Sequence, residues 1–364
     1  MTFWRPKAID RYIIGKFLGT FFFAIMLIIG IAVIFDFSEK VDDFMVSRPT
    51  FGAVVFGYYL NFIPYFVVLF SSLFIFISVI FFTSKMAYDT EIIAILSSGI
   101  SFRRLMLPYF LSACFLALFS FILNDYVIPD ANRRRIEFED RYVNLKPKVF
   151  DADNVHIQLA PGVFVHFGTF VSKTDMGHEF SMERFENNRM VSKLRADYVR
   201  WDSVRSTWTA TNYSIRTIDG VRETLETGAS IDTSFNLHPN EFKRGKKFME
   251  TMNLRDLSDH IAVLKLRGAD NIKTFLMEKH KRIAFPFSTF ILTLIGVSLS
   301  TRKVRGGIGV QIAAGITLSF AYILFMQFSS QFAISGTLSP ALAAWIPNAI
   351  FLVIGAVLYY LAPK

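Results

Sequence analysis

Cysteine is nearly absent from this 364-residue chain: Cys114 stands alone. No intrachain disulfide and no thiolate metal centre can therefore form. The six histidines are scattered, and none belongs to an H-E-x-x-H pair. His156 and His166 are placed to face each other across a hairpin, and read as solvated strand residues rather than a metal site. No G-x-x-x-x-G-K-[ST] phosphate loop occurs; Gly306-Gly307-Ile308-Gly309 lacks the lysine and the preceding strand, and reads as a turn with close helix packing. A G-x-S-x-G nucleophile elbow is missing too. No catalytic residue, metal ligand or cofactor is assigned, and the chain is not expected to be an enzyme.

Charge is missing where a pump would need it. The long apolar runs hold no Asp, Glu, Lys or Arg in their middles; Asp36 and Asp125 lie at their ends. An ion-coupled carrier commonly buries such a group as its relay, because the desolvation cost is borne only for function. A transporter without one, and without its own nucleotide site, needs an external motor.

What the chain has in abundance is apolar surface: 52% of residues are hydrophobic and 41 are Phe. A spanning helix takes about 20 mostly apolar residues. Six windows qualify: Ile13–Phe35, Tyr58–Thr83, Leu105–Leu123, Ile283–Ser300, Ile308–Gln331 and Ala341–Leu361. The first is too long, and too poor in small residues at its end, for a removable signal peptide, so it is expected to stay as an anchor.

Net charge is +9, from 39 basic and 30 acidic residues; Tyr126 to Glu278 takes 23 and 22 of these, leaving 16 and 8 elsewhere. A basic excess confined to the membrane part points to anionic lipid and topology, not to nucleic acid. Arg5, Lys7, Arg11 and Lys16 precede span one, Lys85, Arg103 and Arg104 follow span two, and Arg302, Lys303 and Arg305 follow span four. The positive-inside rule then places both termini in the cytoplasm and the long segment after span three outside. Glu278-Lys279-His280-Lys281-Arg282 breaks the pattern at the outer start of span four. Its cations either snorkel onto ordinary headgroups or meet the phosphates of a particular outer-leaflet lipid.

The outer segment changes grammar. Val155–Leu159 and Val163–Phe167 alternate with period two around Pro161-Gly162, and LRADYVRWD, TWTATNYSIRTI and VRETLE follow with a tight turn at Asp219-Gly220. These are the marks of a small antiparallel sandwich or roll. Asn253–Leu266 reads as an amphipathic helix leading back to the membrane. The expected organisation is residues 1–125 with spans one to three, 126–273 outside, and 274–364 with spans four to six.

One inner stretch, KMAYDTEIIAILSSGISFRRL, leaves the membrane and re-enters at once. A helix over about 86–98 would present Ile92, Ile93, Ile95 and Leu96 on one side, with Glu91 within that surface. Gly99 is a natural stop, Ser101 can cap span three, and Arg103 and Arg104 anchor its inner end. The geometry resembles the coupling helix by which an ABC permease docks on an ATPase subunit, where a carboxylate can pair with a cation. An interfacial helix with no partner has the same pattern.

Beyond these local patterns, the chain resembles the lipopolysaccharide export permease family, with paralogues LptF and LptG. The likeness runs through Asp10-Arg11-Tyr12-Ile13, Glu91…Gly99-Ile100-Ser101, LRADYVRWDSVRSTWTATNYSIR, NLRDLSDHIAVLKLRG, MEKHKRIAFPFSTFILTLIGVSLS, GGIGVQIAAGI and LSPALAAWIPNAIFLVIGAVL. The resemblance implies six transmembrane helices plus an external antiparallel β-jellyroll-like domain in the bacterial inner membrane. It also implies a paralogous permease partner, an LptB-like ATPase dimer, an LptC-like periplasmic bridge protein, and lipopolysaccharide as cargo. Lipid would enter between spans one and five and move along the jellyroll interior.

On that footing Glu91, Ile92, Ile95, Gly99, Arg103 and Arg104 are the expected coupling residues. Leu159, Val165 and Phe167 are expected to line the jellyroll, or else simply to pack its core. Family members often carry basic residues near the outer end of span one. Here Asp36 and Glu39 accompany Lys40, so Lys40 alone is carried over, and Lys279, Lys281 and Arg282 are further candidates for the lipid head group. Two other readings stay open: a permease for another lipid or for lipoproteins, which typically has four spans, and a non-transporting membrane scaffold.

Overall fold

Every apolar run forms a helix that outlasts it. The computed structural model describes residues 7–143, 151–171, 174–187, 189–203, 205–233, 237, 239, 246–267, 269, 271–301 and 307–362. Arg5, Arg302, Lys303, Arg305 and Gly306 lie outside the described residues. Among those described, six helices are long and apolar enough to cross a membrane. The chain divides into a helical unit, up to Val143 and from Leu276 onward, and a second unit, Asn144–Phe275.

In the helical unit α1 spans Ala8–Ser47, 40 residues. At 1.5 Å per residue it is about 60 Å long, roughly twice the hydrocarbon thickness of a bilayer. It ends where Arg48 turns left-handed, at φ 47°. A π-helical stretch, Ala53–Tyr59, leads into α2 (Leu60–Tyr88). After the short α3 (Glu91–Ser97) comes α4 (Phe102–Ile122), joined through π-helical Leu123–Val127 to α5 (Ile128–Tyr142). The last three long helices are Ile272–Ser300, Gly307–Ile334 and Pro340–Leu361. They are α8, α9 and α10 here, because the second unit contributes α6 (Lys246–Met249) and α7 (Leu254–Leu266).

Helix α2 is the axis of the bundle. Its Ile75 and Val79, one turn apart, belong to an apolar cluster with Ile13 and Phe17 of α1 and Leu105 and Tyr109 of α4. The neighbouring positions Phe76 and Ile80 join Leu292 and Ile295 of α8, Tyr322 of α9 and Phe351 of α10. The α8 and α9 backbones come close to α2: a Cβ at Gly296 would lie 2.9 Å from Val79 Cγ1, and one at Gly315 would collide with Ile80. Some buried polar groups are paired across helices. Thr83 and Tyr109 share a 3.0 Å hydroxyl contact, Tyr322 donates to Asn348 at 2.9 Å, and Asn348 donates to the Ala284 carbonyl at 2.9 Å.

Coverage is uneven. In the most apolar stretch of α8, 61% of residues are buried, against 17% in α1 and 22% in α9. Phe23, Met26, Ile34 and Phe35 of α1 stay bare.

Residues Ile128–Val143 pack with the helical unit. Phe138 explains this: its ring meets Phe44 at 6.0 Å and Tyr58 at 5.3 Å, while the Arg135 guanidinium lies 5.3 Å from the centre of the Tyr65 ring. The charged residues ride on an aromatic seam.

The second unit carries one six-stranded antiparallel sheet in chain order: β1 (Asp151–Ala160), β2 (Val163–Val171), β3 (Met176–Glu186), β4 (Arg189–Asp202), β5 (Thr207–Asp219) and β6 (Arg222–Thr233). Ala160 pairs Val163, Glu186 pairs Arg189 and Asp219 pairs Arg222, so three hairpins close over two residues, with Gly162 at φ +77° and Gly220 at φ +64°. Val165, Phe167, Phe180, Leu194, Ala196, Trp208 and Ala210 form the buried face. The Trp208 indole donates to the Leu237 carbonyl at 2.8 Å. Helix α7 is capped by the Asn253 side chain, which accepts from the Asp256 N–H at 2.8 Å, and buries Leu257, Ile261 and Leu264. The fold is thus a six-span membrane bundle with an antiparallel β unit, as expected from the sequence.

Candidate functional site

The expected coupling segment lies at the end of the bundle where α1 and α4 begin and α2 ends. Its helix starts at Glu91, not at Met86, because α2 continues to Tyr88 and Asp89–Thr90 turn the chain. Thr90 sits at φ 64° and Gly99 at φ 85°, so left-handed residues bracket α3. Glycine accepts that conformation freely, whereas a β-branched residue is strained by it.

Within α3 the apolar residues divide between two faces. Ile92 is buried in the α1–α2–α4 cluster, and Ile95 and Leu96 lean on it. They moor the helix to its own bundle, and the outward apolar group is Ile93, 52% exposed. Glu91 is half-buried and accepts two contacts from the Tyr12 hydroxyl, at 3.0 and 3.3 Å. The N-cap of α4 is Ser101, which accepts from the Arg104 N–H at 3.4 Å. Arg103 is exposed. Arg104 forks onto Asp10 at 2.6 and 2.7 Å, and the Asp10 side chain is wholly buried. The Lys7 backbone N–H gives Asp10 a further bond at 2.8 Å. Asp10 and Tyr12 had been noted in the sequence without a role. The available signal was an acid in the first turn of a span, near a lone basic pair two spans later.

The other candidate residues do not gather in one place. Lys40 forms an ion pair with Asp36 and lies 5.0 Å from the Tyr58 ring centre. Asp36 also accepts from Tyr58 at 3.1 Å and Tyr59 at 3.3 Å, adjacent residues that the π-helical turn aims the same way. On α8, Arg282 is buried and bonded to Glu278 at 2.9 Å, whereas Lys279 and Lys281 are half-buried. Val165 and Phe167 are buried in the β core, with Leu159 packed against them. His156 and His166 do pair, with ring centres 4.3 Å apart and each Nε2 3.1 Å from the Asn154 side-chain oxygen. Partial burial and the charge of His156 hold His166 below its ordinary pKa. Among the described residues no group of three metal-binding side chains occurs.

Six spans, a short helix moored at one end of the bundle and a separate antiparallel sheet define a polytopic membrane protein with an added β unit. The chain belongs to the lipopolysaccharide export system permease family LptF/LptG, whose pattern it matches over residues 11–361. It is also 22% identical, over 95% of its own length and 96% of the other protein, to the lipopolysaccharide export system permease protein LptG of Haemophilus influenzae. The family makes it a multi-pass inner-membrane protein and a non-enzymatic permease.

Proposed function

We propose that this chain is one of two paralogous permeases that lift lipopolysaccharide from the inner membrane and pass it to an LptC-like periplasmic bridge. ATP is hydrolysed by a separate LptB-like dimer docked on α3, both termini lie in the cytoplasm, and the β unit lies in the periplasm. The family match over nearly the whole chain carries this reading. The outward surface of α3 supports the docking: a half-exposed carboxylate at Glu91 beside exposed Ile93 and Ala94 suits an apolar groove with a basic rim. The bare faces of α1 and α9 support lateral entry of lipid between spans one and five.

The work is physical: acyl chains buried at about 0.8 kcal/mol per methylene do not leave a bilayer unaided. Six spans do not suit the four-span lipoprotein alternative. The test is reconstitution of the chain with its paralogue and ATPase in proteoliposomes holding lipopolysaccharide. ATP-dependent release to an added periplasmic acceptor is expected. A complex that hydrolyses ATP and releases none, or a chain that never recruits the ATPase, would sink the proposal.

A further inference from the structure

Span one has the most exposed apolar stretch of the six, so packing alone holds it weakly. Its first two turns nevertheless make two side-chain ties to the α3–α4 segment: Asp10 to Arg104, and Tyr12 to Glu91. We infer that Asp10 and Tyr12 are positioning residues that make the start of α1 travel with α3, so that a push received at α3 reaches span one directly. This rests on the reading that α3 docks on the ATPase.

The two ties differ in kind. Asp10 is wholly buried and satisfied by three donors, two from Arg104 and one from the Lys7 backbone. Breaking that set would strand a carboxylate away from water, so it acts as a fixed pin. Tyr12 is 41% exposed and reaches Glu91 through its hydroxyl alone. An ionised carboxylate has about four acceptor sites. The Tyr12 bond therefore aims the Glu91 oxygens while leaving sites open for a partner's cation. Ile9 and Ile13 of α1 share an apolar cluster with Ile92, Ile95 and Leu96 of α3, so the ties flank a packed contact.

Spin labels at exposed Arg11 and Ser97, on a Cys114→Ser background, read the α1–α3 separation directly. In the purified full chain a narrow distance distribution is expected, and it stays unchanged when the assembled complex binds ATP. The Asp10→Asn/Tyr12→Phe double variant should broaden it. Tyr12→Phe alone should cut lipopolysaccharide released per ATP by about threefold to tenfold, the effect of one partly exposed bond to a charged group. An unchanged distribution in the double variant, a separation that shifts with ATP in the native complex, or full coupling in Tyr12→Phe overturns the inference. A narrow native distribution in a chain that recruits no ATPase instead overturns the docking reading, and with it the role given to Tyr12.

Discussion

Arg104 grips Asp10 through two parallel hydrogen bonds of 2.6 and 2.7 Å, joining the first turn of α4 to the first turn of α1. The Arg104 side chain is 30% exposed and that of Asp10 not at all, so the two partners are not equivalent. Asp10→Ala removes the buried charge and lets Arg104 turn to water. A loss of about 2 kcal/mol is expected, as for hydrogen bonds to a charged group. Arg104→Ala strands the carboxylate and should cost more, about 3–5 kcal/mol. Thermal unfolding of the two variants in one detergent checks the order; equal losses would contradict it.

Glu91→Lys reverses the charge on the outward face of α3 and breaks the bond from Tyr12. ATP hydrolysis by the assembled complex is expected to continue while lipopolysaccharide release falls at least tenfold. The same experiment can fix the side of the membrane. Ala94 is exposed, so Ala94→Cys with Cys114→Ser should react with an impermeant thiol reagent only from the cytoplasm. Labelling in intact cells would invert the topology.

Much of this architecture was legible from periodicity, since lipid and a sheet face both impose simple repeats. The spans, five of the six strands and helix α7 follow from that. Strand β3 was not seen, and Glu179 shows why: its φ of +52° leaves His178 and Glu179 both exposed, breaking the two-residue alternation. The packing of α5 onto the helical unit was not legible, because it depends on Phe138 meeting distant aromatics. The coupling segment was visible as an amphipathic interruption. Which of its isoleucines faces inward was not, since that depends on the tertiary contacts of Ile92 with α1 and α4.

Val165 and Phe167 are buried among Phe170, Phe180 and Trp208, so in the chain alone they are core residues. Phe167→Ala should cost about 3–5 kcal/mol, as for other large-to-small core changes. If lipid also moves along this face, a photo-crosslinker at Val165 should capture lipopolysaccharide only while ATP is being hydrolysed. Capture without nucleotide would contradict ATP-driven movement along this face, and no capture at all would restrict these positions to packing.

His166 gives the β unit a pH response. Unfolded, it titrates near 6.5; in the fold, partial burial and His156 push its pKa down, Lys193 adds to this, and Glu179 and Glu183 oppose it. Between the two values the unfolded chain binds more protons, so its share of stability is full above about 6.5 and is lost as pH falls through the folded value. Histidine-resolved NMR titration should place His166 below 6.5. His156→Gln, by removing one of the two leading causes, should move it up; no movement would leave burial and Lys193 as the causes.

The cations on α8 should separate by burial. Arg282 is buried against Glu278, so its loss would disturb folding as well as any lipid contact. Lys279 and Lys281 are half-buried and adjacent in register to the start of span four, where a flexible ammonium can reach a phosphate. Lys279→Gln/Lys281→Gln is therefore the cleaner variant: thermal stability should change by less than about 0.5 kcal/mol. Binding of lipopolysaccharide should weaken severalfold, and more at low salt than at high salt, because exposed charge contacts are screened. Unchanged binding at low salt would leave the two lysines as ordinary interfacial anchors.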